Sequence, residues 1–544
     1  MDEKEDKSLC PSAARIISLI GRGYFPTELP PPFTSARYAK HAIAFTERWD
    51  GQKIRKFWTR PENYSVPRYG HARRMLSIVN PINQLHVSDL IGKNWLEIKK
   101  RIARSTISEF DPQIVLVGNT RAVTGVNFDG VARRRAEILG AYGRYVRTDV
   151  ARFYPSIYTH AIPWAILGKE YVKANQNNSD FKTSFGNLLD KAVAAGQQGQ
   201  TVGIPIGPDT SRIVSELIAS EVEAIAHTQI RNLEHRAVRY VDDMLIGLHE
   251  TETPSAVLSA LSNALYEFEL ELNADKTSTH GIGASHSPEW IHYIRTFDLN
   301  QKKSRQRDDL DSYFEQIFHL ADSHPKDNVV LFAAKRAASF TVDQTNMSHL
   351  VRWLLYAARR APSCLSFIVE HLSAISVEDF MSDNEIKAYI LQQLPRKAEA
   401  VHTHEVAWLL FWAREMRLSL PSTVMGKITD LRSSVVAMLT LDLMQNNLIA
   451  GEIDISAWRA SATAEGLRSG LWLVAYEATK REWWPMRQAS GFVSGHQFFG
   501  DIWERNIYFY DPAKKIRSKS NSSFSLNIDS GSGFSFGSYP DVRL

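Results

Sequence analysis

The 544-residue sequence predicts an α+β region followed by an all-α region. Three observations carry that expectation. Between about 141 and 300, short β-prone runs (VGIPIG, AVRYV, LIGL) alternate with amphipathic stretches. From about 301 to 515 strand signals nearly vanish and helical periodicity takes over. Within that second region HLVRWLLYAAR, from His349 to Arg359, aligns without gaps on HEVAWLLFWAR, from His404 to Arg414, and LWLVAY from Leu471 to Tyr476 resembles a degenerate third copy. The recurrence predicts stacked helical units related to HEAT-type repeats. Trp-Leu-Leu stripes are also common in buried helices, and His349 and His404 read better as capping or packing residues than as metal ligands.

Taken in order, residues 1–50 contain FPTELPPPF, where Pro26, Pro30, Pro31 and Pro32 favour an extended N-terminal arm. Residues 51–140 are the basic region. Counted over 51–150, Lys and Arg number 18 against 8 Asp and Glu, a local excess of ten in a chain whose net charge is +4. With Trp58, Tyr64, Tyr69 and Trp95 interspersed, the stretch fits a surface that meets phosphates and stacks on bases, or a merely solvated basic face. In the α+β region, residues 141–300, Thr253 as N-cap and Pro254 in the first turn open a helix with Leu258, Leu261, Leu265 and Phe268 on one face. The helical region spans 301–515, and the Ser/Gly-rich end, 516–544, reads as a flexible tail.

Composition sets the outer bounds. At about 150 residues per domain the length allows three or four domains, and 44% hydrophobic with 23% charged residues excludes whole-chain disorder or a fibrous repeat. Cys10 and Cys364 are the only cysteines, which excludes a disulfide framework or a cysteine-rich zinc module and suits a reducing compartment. The polar, acid-rich start MDEKEDKSLC is not a signal peptide, and no apolar run reaches the roughly 20 residues of a membrane span. A soluble, intracellular protein with no membrane partner is expected.

The chemistry concentrates in two segments. RYVDDMLIG reads as strand, tight turn, strand, with Asp242 and Asp243 at the hairpin tip, where adjacent like charges favour divalent cations. In RYVRTDVARFYPSI a β-prone run from Tyr145 to Val150 presents Asp149 near its end, followed by Phe153 and Tyr154. A strand-borne Asp far from a hairpin Asp pair is what holding two Mg²⁺ ions about 3.5–4 Å apart for in-line nucleotidyl transfer requires. Between them lies GIPIGPDTSRIVSELIASEVEAI: Gly203, Pro205 and Gly207 form a rigid loop, Asp209 is a candidate N-cap, and Ile213, Leu217 and Ala224 share a helical face. After the hairpin, LELNADKT places Lys276 behind a short strand.

The order TDVARFYPSI, GIPIGPDTSR, RYVDD, LELNADKT is that of reverse transcriptase motifs A, B, C and D. FYPSI with GIPIGPDTSR, ahead of a long helical C-terminal half, resembles the abortive-infection reverse transcriptases, which are bacterial and often prophage-borne antiphage proteins. The motifs cover residues 148–277. The resemblance implies right-hand polymerase fingers (51–140) and palm (141–300), with the helical half in place of a conventional thumb. Asp149 and Asp242 would be the main metal ligands, Asp243 would support them, and the Val150 carbonyl would add a contact. Tyr154 would lie under the sugar of the incoming nucleotide and exclude a 2′-hydroxyl. Gly207 would belong to the nucleotide-binding loop. Lys276 matches the motif D lysine that acts on departing pyrophosphate, with an ordinary surface lysine as the plain alternative. Arg73 and Arg74, in GHARRMLSIVNPINQ, resemble the fingers residues that grip the triphosphate, or are solvent-facing arginines.

The same resemblance implies two Mg²⁺ ions, with Mn²⁺ as a substitute, and deoxynucleoside triphosphates as substrates. It also implies template-independent, protein-primed synthesis, a single-stranded DNA product covalently attached to the chain, assembly as a trimer or hexamer, and a bacterial cytoplasm. Tyr24, Tyr38 and Tyr539 are candidate priming residues. One departure matters: Ile206 stands where the template-copying retroviral pattern has Gln, which weighs against faithful copying. Two rival readings are a templated RNA-directed DNA polymerase extending a nucleic-acid primer, and a nucleic-acid-binding scaffold with a vestigial palm. The intact acid triad argues against the scaffold.

Overall fold

The structure is a computed structural model that describes residues 10–118, 121–281, 288–375, 383–485 and 489–516. Elements used below are labelled in chain order. The first are α1 (Pro11–Gly21), the hairpin β1 (Glu62–Pro67) and β2 (Arg73–Ile78), α2 (Pro81–Lys93), a second hairpin β3 (Phe110–Ile114) and β4 (Val123–Val126), and α3 (Phe128–Ala141). Next come β5 (Arg144–Thr148), α4 (Asp209–Ile230), β6 (His235–Tyr240), β7 (Asp243–Leu248), α5 (Pro254–Glu267) and β8 (Ser278–Gly281). The C-terminal half contributes α6 (Gln306–Ser323), α7 (Gln344–Arg360), α8 (Thr403–Glu415), α9 (Ser434–Gln445) and α10 (Trp472–Lys480), with shorter helices between them.

Strand periodicity builds the centre. β6, β7, β5 and β8 pair in that order, all antiparallel, with Thr148 opposite Met244, Arg239 also opposite Met244, and Arg147 opposite Ser278. Successive side chains point to opposite faces. Val146, Ala237, Met244, Ile246 and Leu248 accordingly join one core with α4 and α5, while Tyr145, Val238, Tyr240 and Leu245 join another under α3. Because β7 is covered on both faces, its sequence is a continuous apolar run rather than an alternation. Gly247 lets α3 approach: a Cβ there would come within 2.7 Å of Ile138 and 2.8 Å of Tyr142. The helix expected from Thr253 is α5, with Leu261 and Leu265 buried and Phe268 at its end.

The N-terminal segment departs from the expected arm. Residues Pro11–Gly21 are helical because Ile16, Leu19 and Ile20 recur on one buried face. The proline-rich stretch that follows is non-helical, as its prolines require, yet it is packed. Phe33 bridges to Tyr510, Thr34 N donates to Phe509 O at 2.9 Å, and Asp511 N donates to Pro32 O at 2.8 Å. Aromatic side chains drive this: Tyr24, Phe25, Phe33 and Tyr38 enter the same hydrophobic core as Trp408, Trp472 and Phe509. The hairpin β1–β2 joins that core as well, through Tyr64, Leu76 and Ile78.

Among its described residues the C-terminal half is helical as expected, with a two-residue parallel pairing of Leu420–Pro421 with Ile449–Ala450. Its aligned segments are not equivalent in environment. In α7 the stripe lies on one side, and Trp353 stays half-buried with its Nε1 on Asp311 at 2.7 Å, sharing that carboxylate with His349. In α8 every residue from Thr403 to Arg414 is buried, and Trp408 Nε1 donates to Glu28 O at 2.9 Å. α10, which carries Trp472 to Tyr476, is likewise buried all round. Equal patterns therefore serve different packing positions. No helix among the described residues is long and apolar enough to cross a membrane. The tail from residue 517 onward, including Tyr539, lies outside the described residues.

Candidate active site

The carboxylates meet because of sheet register. Tyr240 pairs with Asp243 across the β6–β7 turn, so Val241 and Asp242 form its tip, and Asp149 follows directly on β5, whose Thr148 lies beside Met244. Val241 sits at φ +57°, a left-handed conformation unfavourable for a β-branched residue. Holding it is Arg239. Its guanidinium donates to Val241 O at 2.7 Å and to Glu216 at 2.7 and 2.9 Å, and it also pairs with Glu223, both acids lying on α4. All three side chains are buried. Sequence reasoning missed this clamp. Its one local signal is Arg239 between Val238 and Tyr240 at the inner end of β6, and its partners Glu216 and Glu223 lie on the preceding helix α4.

Asp149, Asp242 and Asp243 are all buried, at 2%, 5% and 2% exposed. Burial pushes the Asp242 carboxyl up to about 7, the Asp149 charge adds to this, and Lys276 and Arg74 oppose it. Asp243 is raised well above the usual carboxylate range by burial and by Asp242 and Asp149. Asp149 is also raised, since burial outweighs its contacts with Lys276, Asn273 and Asp243. The Lys276 ammonium lies directly on Asp149 Oδ2. Arg147, on β5, has its own pKa lowered by burial while Asp243 and Asp149 pull it back up. The result is a cluster of acids short of compensating charge, which is the electrostatic condition a hard divalent cation relieves. Among the described residues, no group of three or more His, Cys, Asp or Glu side chains stands, as placed, where it could hold a metal ion. The carboxylates supply suitable donors, and the lysine occupies one of them.

Around this cluster the other expected residues sort into near and far. Val150 follows Asp149 and its backbone pairs with Leu272. Lys276 belongs to a 3₁₀ turn, Ala274–Lys276, that precedes β8 rather than following a strand; Asn273 N on Asp149 O at 2.7 Å ties this turn to the site. Tyr154 is half-buried, its hydroxyl accepting from Ser215 of α4 at 3.1 Å and its carbonyl from Ile204 N at 3.0 Å. Arg74, opposite Val66 in the β1–β2 hairpin, is close enough for its charge to lower the pKa of Asp242.

Two expectations are corrected. Arg73 does not face the site: its guanidinium forks onto Glu405 of α8 at 2.7 and 2.8 Å and onto Ser65 at 2.6 and 2.9 Å, because the alternation of β2 sends it to the opposite side from Arg74. Asp209 is the first residue of α4, not its cap; the cap is Pro208, and the Asp209 carboxylate instead accepts from Val123 N and Arg121, each at 2.9 Å. Gly207, at φ +129°, is required by Pro26, whose Cγ would lie 2.7 Å from any Cβ, and its carbonyl accepts from Arg121. Ile206 packs against the large core, and its carbonyl accepts from Ser77 N at 2.8 Å. Tyr24 and Tyr38 are buried, with their hydroxyls donating to Val79 O and Pro81 O.

No protein-family model matches the chain, and no curated protein matches it. Among solved structures it is similar to apo telomerase from Candida tropicalis truncated from its C-terminal domain, with 14% identity, a TM-score of 0.30, and coverage of 43% of this chain and 52% of that one. It is also similar to telomerase from Candida albicans in complex with the TWJ fragment of telomeric RNA, with 11% identity, a TM-score of 0.25, and 65% and 68% coverage. A further apo telomerase structure from Candida tropicalis gives 12%, 0.29, 61% and 68%. The match spans about half the length of the first of these.

Proposed function

We propose that the chain is a nucleotidyltransferase of reverse transcriptase type that polymerises deoxynucleotides. The observation that carries this is the convergence of Asp149 with the hairpin pair Asp242 and Asp243, beside Lys276 and Arg74, at one end of a four-stranded antiparallel sheet. Bound divalent cations would supply Lewis-acid activation of a hydroxyl and neutralisation of the phosphates. The three carboxylates would hold them, and Lys276 would leave Asp149 to meet the departing pyrophosphate. Arg74 would face the triphosphate, and Tyr154, oriented by Ser215, would press on the sugar. The finer reading, template-independent and protein-primed DNA synthesis in antiphage defence by an oligomer, rests on the wording of the four motifs. It also draws on Ile206, whose apolar packing leaves no amide to orient a template pair.

Incubating purified protein with Mg²⁺ and labelled deoxynucleotides tests the core of this reading. Asp242→Ala is expected to lower incorporation by about three orders of magnitude with its melting curve preserved, and EDTA to do the same. Undiminished incorporation by a folded variant would remove the carboxylates from the chemistry. Label released from the polypeptide only by protease supports protein priming, whereas dependence on an added primer–template favours templated synthesis. Tyr154→Ala is expected to raise ribonucleotide use relative to deoxynucleotide, read as a ratio of incorporation rates.

A further inference from the structure

Of the aromatic residues in the basic stretch, Tyr64 and Trp95 are buried and Tyr69 is half-covered with Arg68 over its ring. Trp58 is different: it is 58% exposed between buried Phe57 and Thr59. Its backbone is nonetheless fixed. Thr59 N donates to Ala195 O at 3.0 Å, Gln198 N donates to Thr59 O at 2.9 Å, and Arg60 N donates to Arg468 O at 2.8 Å. One face of the indole rests on Gly199, where a Cβ would be 3.6 Å from each of three ring atoms. An exposed ring on a pinned backbone has little left to lose in ordering when something stacks on it.

The surroundings specify the partner. Lys53, Lys56 and Arg60 are exposed, and none of them makes an ion pair among the described residues. The neighbouring Asp50 carboxylate is engaged in capping Gln52 N at 2.8 Å. A flat apolar face among uncompensated cations suits a polyanion that carries flat apolar groups, and bases are accessible for stacking only where they are unpaired. The loop beneath the ring, which carries Gly199, runs on to Gly203 and Ile204, whose amides bond to the carbonyls of Ile157 and Tyr154.

We propose that Trp58, with Lys53, Lys56 and Arg60, is a docking platform for single-stranded nucleic acid, a base stacking on the indole and phosphates meeting the cations. The platform's relation to the carboxylate site rests on the polymerase reading; the binding itself does not. The test titrates the full chain, in EDTA, into a fluorescein-labelled 20-nucleotide deoxythymidine strand and reads anisotropy over a range of salt. Trp58→Ala is expected to weaken binding about tenfold, Trp58→Tyr to restore most of it, and Trp58→Leu to restore none. Replacing Lys53, Lys56 and Arg60 by Ala should reduce the slope of log K against log salt by about 2. Polyglutamate, which offers charge without bases, should bind the Trp58→Ala chain as it binds the parent. Because Trp58 is exposed, circular dichroism melts of these variants should match the parent. Trp58→Ala binding the strand within twofold of the parent, or losing polyglutamate equally, overturns the platform. A parent that binds through Trp58 but incorporates no nucleotide overturns only the polymerase reading.

Discussion

Arg239 shows what a single side chain contributes to the candidate site. The Asp242 turn is strained at Val241, and strain of about 1–3 kcal/mol persists only where surrounding contacts fix the geometry. Here a guanidinium buried with two carboxylates does so, bridging the turn to α4. Removing one partner of such a group leaves uncompensated buried charge. Arg239→Ala is therefore expected to destabilise the chain by about 3–5 kcal/mol in urea unfolding. Adding Glu216→Gln and Glu223→Gln should recover part of that stability without recovering incorporation, because the turn stays unpinned. The acids themselves were legible in the sequence, since their strand contexts are local. Arg239's role was not, because its partners lie 16 and 23 residues away and a buried charge looks no different from an exposed one until the helix is packed.

At the scale of elements, the β1–β2 hairpin is the informative case. The sequence led to no expectation of a hairpin here, and which arginine faces which side depends on what covers each face. α8 covers the Arg73 side and receives that residue on Glu405, while Arg74 is left towards Asp242. Burial pushes the Glu405 carboxyl up, yet the Arg73 fork and the nearby histidines hold it below its usual value. A depressed folded-state pKa stabilises above the unfolded value near 4.5, and the contribution is lost as pH falls through the folded one. Arg73→Ala and Glu405→Ala should each lower stability, and the double variant should lose less than the sum, with a coupling of about 1–3 kcal/mol at pH 7. That coupling should shrink as the pH falls below 4.5 and through the lower folded-state value. Additive losses at pH 7 in thermal or urea melts would mean that the fork does not join hairpin to helix.

Across the whole molecule, the boundaries suggested by composition do not coincide with the cores. Texture changes near residues 50, 140 and 300, yet the core built on Val146, Ile213 and Leu261 also takes in Leu19, Trp95 and Phe110 from the segments before it. The rest of the N-terminal segment and the first hairpin belong to the other large core. Tyr24, Phe45, Tyr64 and Ile78 are buried in one continuous cluster with Tyr313, Trp408 and Phe509, residues hundreds of positions later. Proline content and basic charge describe a segment's local freedom and solvation, and neither encodes which distant surface will cover its aromatics. The same limit explains why α7 and α8 share a pattern and not an environment. It follows that the N-terminal part cannot stand without the helical half. A fragment ending at residue 300 would expose the faces that Trp408, Trp472 and Phe509 now cover, and Glu62, Trp49 and Asn80 would lose hydrogen bonds to Ser433, Asp501 and Leu467. Expressed alone, that fragment is expected to bind the dye ANS strongly and to unfold without a cooperative transition. Co-expression with residues 301–544 should restore a sharp melt as the two pieces rebuild the shared core. A 1–300 fragment that melts cooperatively and incorporates nucleotides alone would show instead that the helical half is an addition to an independent catalytic unit.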